Sequence, residues 1–247
     1  MPPDSCETSP ATVTSAGLYR LFALLSPAFP VGAFTYSHGL ERVIEDGDIR
    51  DAASLEDYLA ALLRFGSGQA DAILLSVAHA AARQGNPDGV RETAALGLAL
   101  APSKERHLET SAQGTAFLDT CRKAWAPATE TPAGQVFAAL VPQQGLLPAW
   151  PYPVAVGLTA AAWNIPCGPT LTAFLQAFAA SLISAAIRAV PLGQTDGQRV
   201  LHRLEGVITE VCRKADKAHL SDIGSAGLST DIASMLHETQ YTRLFRS

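Results

Sequence analysis

His38 and Glu41 are the residues with the clearest local prospects for chemistry, because a helix through both would carry imidazole and carboxylate on one face. Such a pair could ligate a metal or move a proton. Glu45, four residues beyond Glu41, adds a second carboxylate, and paired acids can divide acid and base work. Solvated helical side chains are the plainer reading of all three. Ser37 adjoins His38, but helical neighbours point about 100° apart, which separates a nucleophile from its base. The six histidines are otherwise scattered, and none has a Cys or a second His at ligand spacing.

The usual enzymatic signatures do not occur. A phosphate-cradling GxxxxGK[ST], a GxGxxG after a strand, a GxSxG elbow and an HExxH pair are all missing from the chain. Asp196 and Arg199, three apart after Pro191 and Gly193, read as a helix cap and an intrahelical ion pair.

A second candidate is Tyr241-Thr-Arg-Leu-Phe-Arg-Ser247, where aromatic, aliphatic and guanidinium groups crowd together. Tyr241, Arg243, Leu244, Phe245 and Arg246 are of types enriched at the energetic centres of interfaces, so the segment reads as a docking surface. The alternative is that Leu244 and Phe245 fold back onto the chain's own core.

Elements must position these groups, and composition bounds what they can be. The chain has 247 residues, 48% hydrophobic and 17% charged, with 18 basic against 23 acidic side chains and no basic run. That length suits one large domain, and the charge pattern lacks the footprint of nucleic-acid binding. Four dispersed cysteines and a start without a signal-peptide core point to a reducing, cytoplasmic setting. The most apolar stretch, residues 171–190, contains Thr172, Gln176, Ser181, Ser184 and Arg188, and reads as a buried helix rather than a membrane span.

Residues 1–14 are rich in Pro, Ser and Thr and read as a flexible leader. Beyond them apolar residues recur at three and four positions: Leu55, Leu59, Leu62 and Leu63; Phe174, Leu175, Phe178, Leu182 and Ile187; Val200, Leu204, Val207, Ile208 and Val211. Helix starts are expected after Ser54 and Ser103, and breaks at Pro27 and Pro30, 85–87, 126–132, 142–153 and 191–193. The expectation is an all-α domain over residues 15–240, a single-domain bundle of roughly eight to ten helices, followed by a partner-docking tail at 241–247. In the loop SPAFPVGAF, Pro27 and Pro30 bar helix and Gly32 permits a sharp turn, so Phe29 and Phe34 should be presented rigidly ahead of Tyr36 and Glu41.

Three ordered segments carry a resemblance: SPAFPVGAFTYSHGLE at 26–41, PLGQTDGQRVL at 191–201 and DIASMLHETQYTRLFRS at 231–247. Together they resemble the urease accessory protein UreF family, over essentially everything from about residue 18. The resemblance implies an all-α protein without catalytic activity, acting in GTP-dependent incorporation of the nickel metallocentre of urease. It implies UreD (UreH in some species), the GTPase UreG and apo-urease as partners, and a homodimer within the complex. It implies no tightly bound cofactor, with nickel in transit. It makes Arg243 and Tyr241 the leading contacts of the tail and Glu41 a GTPase-regulating contact; the tail itself is expected to be loosely held in the isolated protein and ordered when UreD binds. Pro30, Gly32, Phe34 and Tyr36 form the motif loop. The chain departs from the family at His38, where Gln is more usual, so a metal role for His38 rests on this chain alone. It departs also at Pro151 and Leu236, where a His and a basic residue are common. The competing expectation is an all-α enzyme or ligand-binding protein with its site around His38, Glu41 and Glu45.

Overall fold

The computed structural model describes residues 12–33, 36–224, 227–241 and 245. Twelve α-helices and no strand occur among them, so the all-α expectation holds with two helices beyond its upper count. Local chemistry explains most boundaries. Helix α1 (Ser15–Leu24) starts where the Thr14 hydroxyl accepts the Gly17 N–H at 3.0 Å. The six-residue α2 (Leu40–Glu45) follows Gly39, whose φ of 75° and close approach to the backbone of Ser234 leave no room for a Cβ.

Helix α3 (Ala52–Phe65) is capped by Asp51 and not by Ser54. Asp51 accepts the Ser54 N–H at 2.9 Å while the Ser54 hydroxyl accepts the Asp51 N–H at 3.2 Å, a reciprocal box in which the serine is the third helical residue. Helix α4 (Ser67–Arg83) follows directly. Then α5 (Pro87–Ala99) and α7 (Pro132–Leu140) each open on a proline, after caps at Asn86 and Thr131. Ser103 caps α6 (Lys104–Ala124) as expected, accepting the Arg106 N–H at 3.1 Å.

Helix α8 (Tyr152–Ala162) is buried at every residue but the first, and a helix apolar all round can only sit in the middle of the fold. It crosses α4 so closely that Gly157 lies against the Leu75 carbonyl, a position where any side chain would collide with backbone. Around this pair pack α6, α7 and the 23-residue α9 (Cys167–Ala189). Helix α9 is long and apolar enough to cross a membrane by length and composition, yet half of that apolar window is buried inside the protein. Leu171, Phe174, Leu175, Leu182 and Ile183 face the core. Along α3, Leu55, Leu59, Leu62 and Leu63 do the same, each contributing on the order of 2 kcal/mol by leaving water.

The periodic series from Val200 to Val211 is not one helix. It is divided at Leu204 into α10 (Gln194–Arg203) and α11 (Glu205–Ala215), which pack side by side against α9 and α3. At the start of α10, Asp196 accepts the Gly193 N–H at 3.3 Å and the Arg199 guanidinium at 2.7 Å, as its spacing suggested. Helix α12 (Leu228–His237) closes the fold by lying across α2 and α6.

Candidate functional site

The face of α6 that looks inward begins polar and ends apolar. Arg106, Glu109, Thr110 and Gln113 are buried, and one turn further the same stripe continues as Phe117, Leu118 and Cys121. Glu109 is 2% exposed and accepts from Arg106 Nη1 at 2.6 Å and from Gln113 Nε2 at 3.2 Å. It also meets His38, whose Nε2 lies 2.7 Å from Oε1. Burial opposes the charge of Glu109, but the Arg106 guanidinium and His38 outweigh it and hold the carboxyl at about 2.

His38 therefore does not pair with Glu41. It precedes α2 in a left-handed conformation, φ 56°, which turns its ring away from the helical face that the spacing assumed. Burial, then the neighbouring Arg106, lowers its pKa, so the neutral ring donates from Nε2 to Glu109. The 3.2 Å approach of Arg106 Nη1 to that same nitrogen is then a contact only, and Nδ1 is a buried atom with no hydrogen-bond partner among the described residues.

Asp71, from α4, stands 3.8 Å from Arg106 Nη2. Burial raises its carboxyl to about 6, with Arg106 only partly opposing that rise. A carboxyl raised from 3.8 in the unfolded chain costs nothing when protonated, and its cost grows as pH rises from about 4 through 6. Replacing it by Asp71→Asn should therefore stabilise the chain relative to wild type at pH 7 more than at pH 4. Urea unfolding midpoints at the two pH values measure this.

These groups form the floor of a cavity of about 250 Å³ roofed by the motif loop and α9. Pro27, Phe29, Val31 and Ala33 line one side, and Phe174, Phe178, Ser181 and Arg188 the other. Phe29 is not presented to solvent as the loop's prolines suggested. It is buried, with its ring 5.1 Å from that of Phe117. Gly32 adopts the left-handed turn its type allows, φ 74°, and Tyr36 is buried. Pro30 is exposed, and Phe34 lies outside the described residues.

Glu41 belongs to a separate junction. It is 7% exposed, and its Oε2 sits 3.2 Å from His237 Nε2 and accepts the Phe245 N–H at 3.1 Å. His237 is fully buried, and its Nδ1 lies 2.7 Å from Glu105 Oε2. Glu45 points outward to Arg42, 3.9 Å away. His38, Glu41 and Glu45 thus serve three different neighbourhoods, and the shared site expected of them does not form. Among the described residues no group of three or more His, Cys, Asp or Glu side chains is placed to hold a metal ion.

Of the terminal segment, Tyr241 is fully exposed whereas Phe245 is buried, with the Arg188 guanidinium 4.5 Å from its ring centre. At Phe245 the folded-back alternative describes the isolated chain. Arg243, Leu244 and Arg246 lie outside the described residues. Sequence reasoning passed over Glu105, Arg106, Glu109, Asp71 and His237. The signal that could have found Arg106 and Glu109 was their run with Gln113, which shares a helical stripe with Phe117 and Cys121 and so faces the core.

The described residues define an all-α protein in which buried charged side chains join helices far apart in the chain. Residues 49–205 match the UreF family model. A Rhodopseudomonas palustris (strain BisA53) protein named urease accessory protein UreF is 49% identical over 94% of both chains. Its counterpart in strain BisB5 is 48% identical over 99% of this chain and 98% of its own, and that of Bradyrhizobium diazoefficiens 49% identical over 94% and 93%. The chain belongs to the UreF family.

Proposed function

We propose that this chain is a non-enzymatic urease accessory protein, required for GTP-dependent incorporation of nickel into urease and working in the cytoplasm as a scaffold. The observation that carries this reading is the 49% identity, over 94% of this chain, to proteins named urease accessory protein UreF. The scaffold engages UreD (UreH), recruits or regulates the GTPase UreG, and presents both to apo-urease, with two copies of the chain in the complex. Nickel is cargo in transit, not a resident cofactor.

Docking falls to the C-terminal region. On α12, Leu228, Ile232, Met235 and Leu236 are 69%, 44%, 48% and 46% exposed, one apolar face at helical spacing, and Tyr241, a few residues further along the chain, is fully exposed. Such a face gains by being covered, about 25 cal/mol for each Å² removed from water. Leu236, where the family often has a basic residue, extends that apolar face. Tyr241, Arg243, Leu244 and Arg246 are the further contacts proposed for the partner, with Phe245, buried in the isolated chain, as their anchor.

Co-purification with UreD and UreG tests the assignment, comparing the full chain with one ending at Gln240. The shortened chain should lose both partners; its retention of both would exclude the tail as the docking element.

A further inference from the structure

Four elements meet at the carboxylate of Glu41. Helix α2 supplies Glu41 itself, α12 supplies His237, α6 supplies Glu105 on the far side of the imidazole, and Phe245 brings its backbone N–H. The ring of Phe245 is anchored separately on Arg188 of α9. Glu41 and His237 are both buried, so breaking any of their hydrogen bonds strands a polar group where water cannot take the partner's place. Gly39, packed on the backbone of Ser234, brings α2 near enough to α12 for the junction to close.

We propose that Glu41 is a positioning residue that latches the terminal segment onto the helical body, with His237 and Glu105 aligning its carboxylate for the Phe245 N–H. This rests on the docking reading above and changes what Glu41 does within it. Being buried under α12, Glu41 acts through the segment it holds and does not meet a GTPase surface itself. The latch fixes the end of the segment in the isolated chain, and so fixes the geometry from which the tail engages its partner. Without it Phe245 keeps its ring against Arg188 but loses the backbone hydrogen bond that fixes the direction of the chain there, and capture falls although no residue that touches the partner has changed.

Amide exchange at Phe245 in the full-length chain tests the latch without any partner. Glu41→Leu, which removes the acceptor at similar volume, should speed exchange at Phe245 at least tenfold while amides of α4 and α8 keep their protection. Glu41→Gln keeps an acceptor oxygen and should restore most of the protection at Phe245. Unchanged protection at Phe245 in a folded Glu41→Leu chain would overturn the proposal. Should that variant not fold, His237→Gln is read in the same way, with faster exchange at Phe245 expected and unchanged exchange contradicting. Capture of UreD is then compared between wild type and Glu41→Leu. Failure of the wild type to bind UreD would sink the docking reading and leave the latch standing on its exchange data.

Discussion

Glu109→Ala should cost about 3–5 kcal/mol of unfolding free energy, the range for removing one member of a buried charge pair. Glu109 is almost wholly buried and is the carboxylate to which Arg106 donates directly, whereas Asp71 stands 3.8 Å away. Alanine would leave the buried guanidinium with only the longer approach of Asp71 in place of a direct carboxylate acceptor, and would remove the acceptor for His38 and Gln113 at once. Against a total stability of about 5–15 kcal/mol for a domain, this would move the urea midpoint far toward the unfolded side. Glu109→Gln should lose less, because its amide can still meet some of these groups.

The same substitution changes the acid limb. Glu109 is depressed from 4.5 to about 2, so the stability it confers is fully present above pH 4.5 and is lost as pH falls toward 2. Between pH 5 and 2 the alanine variant should therefore lose less stability than wild type. Parallel acid limbs for the two chains would show that Glu109 is not the charged centre of this junction.

Helix class and many boundaries could be read locally because the physics that sets them is local. Ser103 caps its own third residue, Gly193 and Asp196 sit within one turn, and apolar residues three and four apart mark α3 and α9. Two boundaries mislead for equally local reasons. Ser54 and Asp51 are both good caps, and the geometry selects Asp51. The stripe from Val200 to Val211 stays in register across Leu204, although the axis breaks there.

The junctions were not legible in the same way. His237 and Glu105 are 132 residues apart, and Glu41 and Phe245 are 204 apart, so no periodicity within a window links them. Pairing His38 with Glu41 assumes helical spacing where the backbone turns left-handed before the helix starts. Burial of charge on α6 is hidden because its inward stripe is polar for two turns. Membership of the family was legible in the motif resemblance, which also singled out Glu41 and the tail as candidates. The contacts that join those two came only from the fold.

The second large effect expected is on urease itself. If, as proposed, the chain brings the GTPase and its partner to apo-urease, it converts separate encounters into one assembly, and its removal should abolish activation rather than slow it slightly. Purified apo-urease, UreD, UreG, nickel and GTP, incubated with and without this chain, provide the most direct measurement. The account predicts nickel-loaded, active urease only when the chain is present, with no hydrolysis by the chain alone. Equal nickel loading and activity in its absence would contradict it.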